Sequence, residues 1–525
     1  MKLKNWRFGT ILSAFVFAAA ALAAQPVIWV APSMHRVMQR DPAGAVGLAQ
    51  IRAARGEYES FQIVVTAPPG GLSGVNVTVS NLNGPGGAVI PRTDLALFRE
   101  HYVNVVESSP NWGGSNQPLG AGNYPDALIP FIDPATGQPP AAAALRAVPF
   151  NLDPGMNQPI WVDISVPRNI PAGQYNGTFT VTSNQGYAWG SISLQVWNFD
   201  LPETPALHSA FLFWNGEGLA ADEELLRNKI NPLRTGTEDE SNLMSHFGLD
   251  SVALPFWSGA DVSTCSMNPA PSTADFQNAA AQQQPGLLKF VYSADEIGNC
   301  GNLYGVMQQW ASNMHRAGLK NLVTMAPNPN LYDDGSGTGQ SAVDIWTMLP
   351  IGYDADPSAV QYVLRKGDSA WSYNTMVQDA YSPKWELDFS PVDFRIQPGF
   401  INQSLGLSGL LYWRVDMWSS DPWNDINTIG VWNSSNYPGE GVLVYPGEQV
   451  GIQGVAPSMR LKWLRDGVED YDYVNILKKL GQGDWALQVV RSVGADWSHW
   501  TQDPNALQAA RDQLGARIDA LSTTR

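Results

Sequence analysis

A β-sandwich followed by a (β/α)8 barrel of the TIM type is the fold class this sequence predicts, a multidomain β plus α/β architecture. Three observations predict it. Between 27 and 201, short runs of alternating apolar and polar residues are broken by Gly, Pro and Asn. A proline-bounded hinge then runs through Leu201, Pro202, Glu203, Thr204 and Pro205. Beyond it, apolar runs alternate with helical stretches, the order expected of a parallel sheet with crossover helices.

In the first half, 61–65, 75–79, 160–164 and 175–181 carry β-branched and aromatic residues at period two, the spacing of a half-buried strand. The stretch 170–175 turns into the last of these: Pro171 presets φ and Gly173 accommodates a positive φ. In the second half the candidate strands are 209–214, 251–256, 288–293, 321–325, 343–348, 370–375, 409–415 and 441–445. Helical patterning fits 303–317 and 392–405 between them, and 458–480 at the end, running on through Gly467. The predicted division is a signal peptide over 1–23, a β-sandwich over 24–203, and a catalytic barrel with closing helices over 204–525.

The signal peptide rests on Lys2, Lys4 and Arg7 ahead of an apolar stretch at 11–22, with a small-x-small cleavage site at Ala21, Leu22 and Ala23. That stretch is short for a membrane span and no other segment reads as one. An exported protein, periplasmic or extracellular, is expected. In an oxidising compartment Cys265 and Cys300 can pair, closing a loop worth roughly 3–4 kcal/mol in the chain-entropy model. Two separate thiols are the alternative.

A formal net charge of -17 argues against nucleic acid or an anionic membrane as partner. Only 15% of residues are charged, while 20 are Trp and 17 are Tyr, a profile suited to a neutral ligand. The six histidines form no His-Glu-x-x-His pattern, and neither a nucleophile elbow nor a P-loop occurs. Asp333, Asp334 and Gly335 lack the alternating acids of a calcium loop and read as a solvated turn. No cofactor and no metal site is expected.

In a barrel of this kind the active site forms where strands end, so the strand ends nominate residues. The first gives Trp214, Asn215 and Glu217; the third Tyr292, Asp295 and Glu296; the sixth Tyr373 and Asn374. The seventh gives Trp413, Asp416 and Trp418, and the eighth Tyr445. Aromatic faces with scattered carboxylates and amides suit a sugar, because rings stack on C–H faces and polar groups bind hydroxyls. The sharpest item is the run 291–296, which ends in two adjacent acids. Neighbours on a regular strand point to opposite faces, so both reach one pocket only if the chain bends there. Two close carboxylates also push their pKa values apart, giving an acid beside a charged orienting group.

The stretches 292–296, 370–373, 409–413, 421–423, 444–447 and 460–471 resemble the catalytic barrel of glycoside hydrolase family 123, and 54–62 is similar to that family's β-sandwich. The resemblance implies a retaining β-N-acetylgalactosaminidase-like enzyme acting on a glycan or glycoconjugate with substrate assistance. The 2-acetamido oxygen is then the nucleophile, Asp295 orients and stabilises the acetamido group, and Glu296 is general acid and then general base. Adjacency fits this, because a conventional retaining pair flanks the bond about 5–5.5 Å apart, usually from different strands. Many relatives carry Pro after the Asp-Glu pair, where this chain has Ile297 and then Gly298. Two other readings remain at this level: a conventional retaining glycosidase with Asp416 as nucleophile, and a non-catalytic carbohydrate-binding protein.

Overall fold

A computed structural model of the 525-residue chain describes residues 25–45 and 47–523. The expected signal peptide lies outside the described residues. Two sheets build the N-terminal part. Val27–Pro32, Tyr58–Thr66, Asn157–Ser165, Leu95–Val105 and Gly122–Pro130 form a five-stranded antiparallel sheet in that spatial order. Facing it is a second sheet built on Ala49–Arg55, Gly186–Asp200, Gly173–Ser183 and Leu72–Val79. Ile63, Val65, Ile160 and Val162 from one sheet meet Val77, Phe179, Leu194 and Val196 from the other. Burial separates the sheets. Leu72–Val79 alternates between buried and exposed, whereas the seven central residues of Tyr58–Thr66 are all buried. The five-stranded sheet is covered twice, by its partner sheet and by the barrel.

The parallel sheet begins with β1 (His208–Phe211) and continues through β2 (Ser251–Ala253), β3 (Leu288–Asp295), β4 (Lys320–Thr324), β5 (Ile345–Met348), β6 (Ser369–Tyr373) and β7 (Gly409–Tyr412). The order is β1–β7–β6–β5–β4–β3–β2, all parallel. Seven strands, not eight, make this nearly closed ring. The expected strand at 441–445 is not one of its staves. Val444–Pro446 instead pairs antiparallel with Val455–Pro457, because Leu443 and Val444 donate back to the Val415 carbonyl and the chain then turns at Gly447. The gap between β1 and β2 is bridged by 231–233, where Phe211 donates to Asn231, Leu233 to Phe211 and Ala253 to Leu233. Leu233 joins Phe290, Leu322, Ile345, Trp371 and Leu411 inside the barrel. Gly409 is required there, because a Cβ would run into the Trp371 ring.

The helix Met459–Lys479 lies between sandwich and barrel and is buried along almost its whole length, charges included. Gly467 sits within it because this helix crosses the helical segment at 391–405 in backbone contact: a Cβ at Gly467 would meet the Arg395 carbonyl, and one at Gly399 would lie 2.8 Å from the Gly467 carbonyl. That contact offsets the roughly 1 kcal/mol that a mid-helix Gly costs. Several buried charges are paired across the junction. Arg465 bonds Asp163 at 2.9 Å, Arg460 bonds Asp126 at 2.9 Å, and Arg511 bonds Glu57 at 2.6 Å and Glu59 at 2.9 Å. Glu469 accepts from the Tyr58 backbone at 3.0 Å. Burial raises the Asp163 carboxyl, but Arg465 and Lys462 outweigh it and hold the group well below the usual carboxylate range.

Candidate active site

β3 ends the way a regular strand does not. Its register with β4 slips between Tyr292 and Ala294, so one extra residue reverses the alternation. Ser293 turns outward into the helical layer, where it donates to Asn321. Tyr292 and Asp295 consequently share a face, and the Tyr292 hydroxyl donates to Asp295 Oδ1 at 2.9 Å. The Thr324 hydroxyl, at the end of β4, donates to the same oxygen. Glu296 then takes φ 48°, ψ 29°, a left-handed conformation uncommon outside Gly, Asn and Asp. Its amide is fixed by the Thr324 carbonyl at 2.8 Å. This is the bend that adjacency requires. Ile297 is compatible with it, whereas a proline would push the preceding residue toward extended backbone.

Both acids are exposed, and each has one oxygen held and one free. Tyr373, at the end of β6, donates to Glu296 Oε1 at 2.6 Å across the barrel mouth. No protein group among the described residues bonds Asp295 Oδ2 or Glu296 Oε2. Burial and the neighbouring acids push both tyrosine hydroxyls above their ordinary range, burial being the larger cause, so both remain donors.

The segment after β6 is irregular yet buried, and its amides are satisfied by carboxylates rather than by a sheet. Met376 and Val377 both have positive φ, and their consecutive amides are taken by Glu440 at 3.2 Å and Glu386 at 2.9 Å. Glu440 also accepts from Thr375 at 2.9 Å and from the Trp413 indole at 2.6 Å. Burial, with Glu440 nearby, raises Glu386 well above the usual carboxylate range. A loop of the sandwich reaches this floor as well: Ser108 and Ser109 bond Asp388, and Asn116 bonds Asp393.

The structure brings some predicted residues to the mouth and removes others. Tyr292 and Tyr373 stand beside the acids. Trp214 and Asn215 are exposed on the loop after β1, with Arg414 5.7 Å over the Trp214 ring. Trp413 is half-buried and packs edge-on against Trp432, while Trp418 spends its indole N–H on the Val444 carbonyl. Asp416 is fully buried: it accepts from the Trp214 and Asn215 amides at 3.1 and 3.0 Å and from Arg414 at 2.8 Å. It shapes the β1 loop, Oδ1 accepting two of these bonds and Oδ2 one. Glu217, on the same loop, is raised by burial and by Asp416. Asn374 is buried and bonds Pro383 and Gln397, because the chain dives inward after β6. Tyr445 is also buried, bonding Asp126 at 2.6 Å in the sandwich–barrel junction. Neither belongs to the mouth. Thr324, Glu440 and Trp257, whose ring stands edge-on 6.0 Å from Tyr292, were not legible as site residues. Cys265 and Cys300 are joined by a disulfide that ties the loop after β2 to the turn behind Glu296.

Two other clefts hold neither acid. One of about 860 Å³ lies at the sandwich–barrel junction beside Phe98, Phe131 and Val455. The other, about 730 Å³, lies beside His315, whose two ring nitrogens are already engaged by Asp334 and Asp344. Among the described residues no cluster of His, Cys, Asp and Glu could hold a metal ion, and no helix is long and apolar enough to cross a membrane.

Residues 39–183 match the glycoside hydrolase 123 N-terminal domain, and residues 350–477 match the glycoside hydrolase 123 catalytic domain. A sandwich and a barrel that both match sugar-cleaving enzymes make the chain a glycoside hydrolase. It belongs to glycoside hydrolase family 123. The catalytic match begins after Asp295 and Glu296, so their assignment rests on geometry. A family 123 glycoside hydrolase from Clostridium perfringens, described for glycolipid glycan hydrolysis, superposes with a TM-score of 0.66 at 13% identity, covering 95% of this chain and 99% of that one. At that identity the likeness is one of fold. A β-glucuronidase from Parabacteroides merdae reaches a TM-score of 0.28 at 9% identity over 86% of this chain and 51% of its own, too low to carry an argument. No curated protein matches the chain.

Proposed function

We propose that the protein is an exported retaining β-N-acetylhexosaminidase, N-acetylgalactosaminidase-like, in which the substrate's 2-acetamido group is the nucleophile. The observation that carries this is the paired arrangement at the end of β3, where each adjacent acid has one oxygen anchored by a hydroxyl and one free. Asp295 Oδ2 accepts from the acetamido N–H, turning the carbonyl oxygen toward C1 and balancing the positive charge that develops. Glu296 Oε2 gives its proton to the glycosidic oxygen as the C1–O bond breaks and the oxazolinium ring closes. The leaving alcohol departs, and Glu296 then takes a proton from the water that opens the ring at C1, restoring the starting configuration. Tyr373 keeps the Glu296 carboxyl in place through both transfers.

The burial of Asp416 and its three bonds to N–H groups favour the assisted reading over one with Asp416 as a conventional nucleophile. The Clostridium perfringens enzyme's work on glycolipid glycans makes glycoconjugate termini the first natural substrates to try. Export is supported by the sequence of the first 23 residues and by a disulfide suited to an oxidising compartment.

The test is turnover of aryl β-N-acetylgalactosaminide and β-N-acetylglucosaminide. Loss of the acid/base in Glu296→Gln should lower turnover by about 10²–10⁴-fold. Asp295→Asn should also be severely impaired, and an oxazoline-mimicking thiazoline should inhibit the wild type. A competent substrate lacking the 2-acetamido group, or an unaffected Asp295→Asn, overturns the assisted mechanism. Turnover unchanged in Glu296→Gln would exclude the pair as the machinery.

A further inference from the structure

Gly186–Asp200, the longest strand of the sandwich, carries aromatic residues at both ends of one face. Gly190, Ile192, Leu194 and Val196 point into the sandwich core, so Tyr187, Trp189, Trp197 and Phe199 share the outer side. The two ends have different fates. The C-terminal helix Pro504–Thr523 covers Trp197, with Gly515 giving its ring space, and Tyr473 stands edge-on to both Trp197 and Phe199, which are 5% and 6% exposed. Tyr187 and Trp189 have no such cover among the described residues and are 62% and 61% exposed. The Tyr187 hydroxyl and the Trp189 indole N–H bond no protein group among the described residues. In the sheet register Thr182 lies opposite Tyr187 and Thr180 opposite Trp189, with Asn76 and Thr78 in the next row.

We propose that this uncovered end of the outer sheet face, centred on Tyr187 and Trp189, binds a neutral glycan chain at a distance from the catalytic mouth. Residues two apart on a strand stand roughly 6.5–7 Å from each other, so the rings form a side-by-side platform for the C–H faces of sugar units. Each ring carries a free polar group at its edge, the combination suited to a ligand that is apolar on its face and hydroxylated on its rim. The flanking Thr and Asn side chains pair with hydroxyls. None of these rows bears a formal charge, although the chain's net charge is -17, so nothing here selects an ionic partner. The patch is also small for a protein. Two aromatic side chains bury about 150–250 Å² each, well short of the roughly 800 Å² per partner of a stable protein interface. The inference is independent of the roles given to Asp295 and Glu296.

The test uses the full-length protein in native gels containing soluble galactomannan, xyloglucan or mixed-linkage β-glucan, and pull-down on chitin. Wild type should be retained by at least one of these. A Tyr187→Ala/Trp189→Ala variant should lose tenfold or more in affinity, with unchanged Tm and unchanged turnover of an aryl glycoside, and Trp189→Phe should recover part of the loss. Wild type ignoring all four matrices overturns the proposal, and so does undiminished retention of the double variant. A fall in Tm would mark a packing role, and a wild-type dimer that the double variant abolishes would mark self-association. Either would also overturn it.

Discussion

Two regions of this molecule concentrate charge, and they use it in opposite ways. At the sandwich–barrel junction Arg460, Arg465 and Arg511 are fully buried and matched by Asp126, Asp163, Glu57 and Glu59. At the barrel mouth Asp295 and Glu296 pair with no cation among the described residues; three neutral hydroxyls hold them, and each keeps one oxygen that no described residue bonds. A buried charge left without its partner costs several kcal/mol, so each of these arginines is held by a carboxylate. A catalytic acid must have one valence left over. Two of the strings that carry the family resemblance, 54–62 and 460–471, lie at the junction and face each other across it. What is most recognisable in the sequence therefore holds the halves together, while the chemistry hangs on two residues and their hydroxyl supports.

The largest effect expected from this contrast is at the junction. Arg465→Ala leaves Asp163 and Asp466 buried without their main cation and should cost about 3–5 kcal/mol. Thermal unfolding should show it as a Tm lower by about 5 °C or more. Protein that remains folded should turn over substrate at the wild-type rate. Loss of turnover without loss of Tm would break the division between the regions. Next in size is Tyr373→Phe, which removes the hydroxyl on Glu296 Oε1. A hydrogen bond to a charged group is worth about 1.5–3 kcal/mol, so kcat should fall by about 10- to 100-fold with little change in Tm. A large fall in Tm would instead make Tyr373 part of the core.

Legibility in the sequence follows the same physics. Strands such as 75–79 could be read because one face meets water and the other the core, which writes the period into the residues. The stretch 441–445 is apolar throughout, and such a run has the same look in a barrel stave as in a short buried hairpin. The segment that does bridge the ring, 231–233, contains Pro232, which lacks the N–H expected of an inner strand; its neighbours make the bonds instead. At the site, Asp295 and Glu296 stood out because acids ended an apolar run. Thr324 and Glu440 did not, since their roles come from contacts 28 and 64 residues away in the chain. Asn374 and Tyr445 were misplaced because a strand end gives a position but not a direction, and at both places the chain turns inward.

The smallest effect separates the regions by pH. Asp472, near the junction, accepts from the Ala206 amide at 2.8 Å, but burial dominates and pushes its carboxyl up to about 7. In the unfolded chain an aspartate ionises near a pKa of about 3.9. Between those values the folded state binds the extra proton. The stability this contributes is fully present below about pH 4 and is lost as pH rises through about 7. Asp472→Asn cannot ionise and so lacks this slope. Measured from pH 5 to pH 8, the Tm of the wild type should fall relative to that of Asp472→Asn by a few degrees, because each pH unit between 5 and 7 removes about 1.4 kcal/mol. The pH profile of turnover should be the same in both, because Asp472 lies away from the mouth. A Tm difference that stays constant with pH would mean that Asp472 is already ionised in the fold. The junction would then tolerate an unmatched charge, and its contrast with the barrel mouth would fail at that residue.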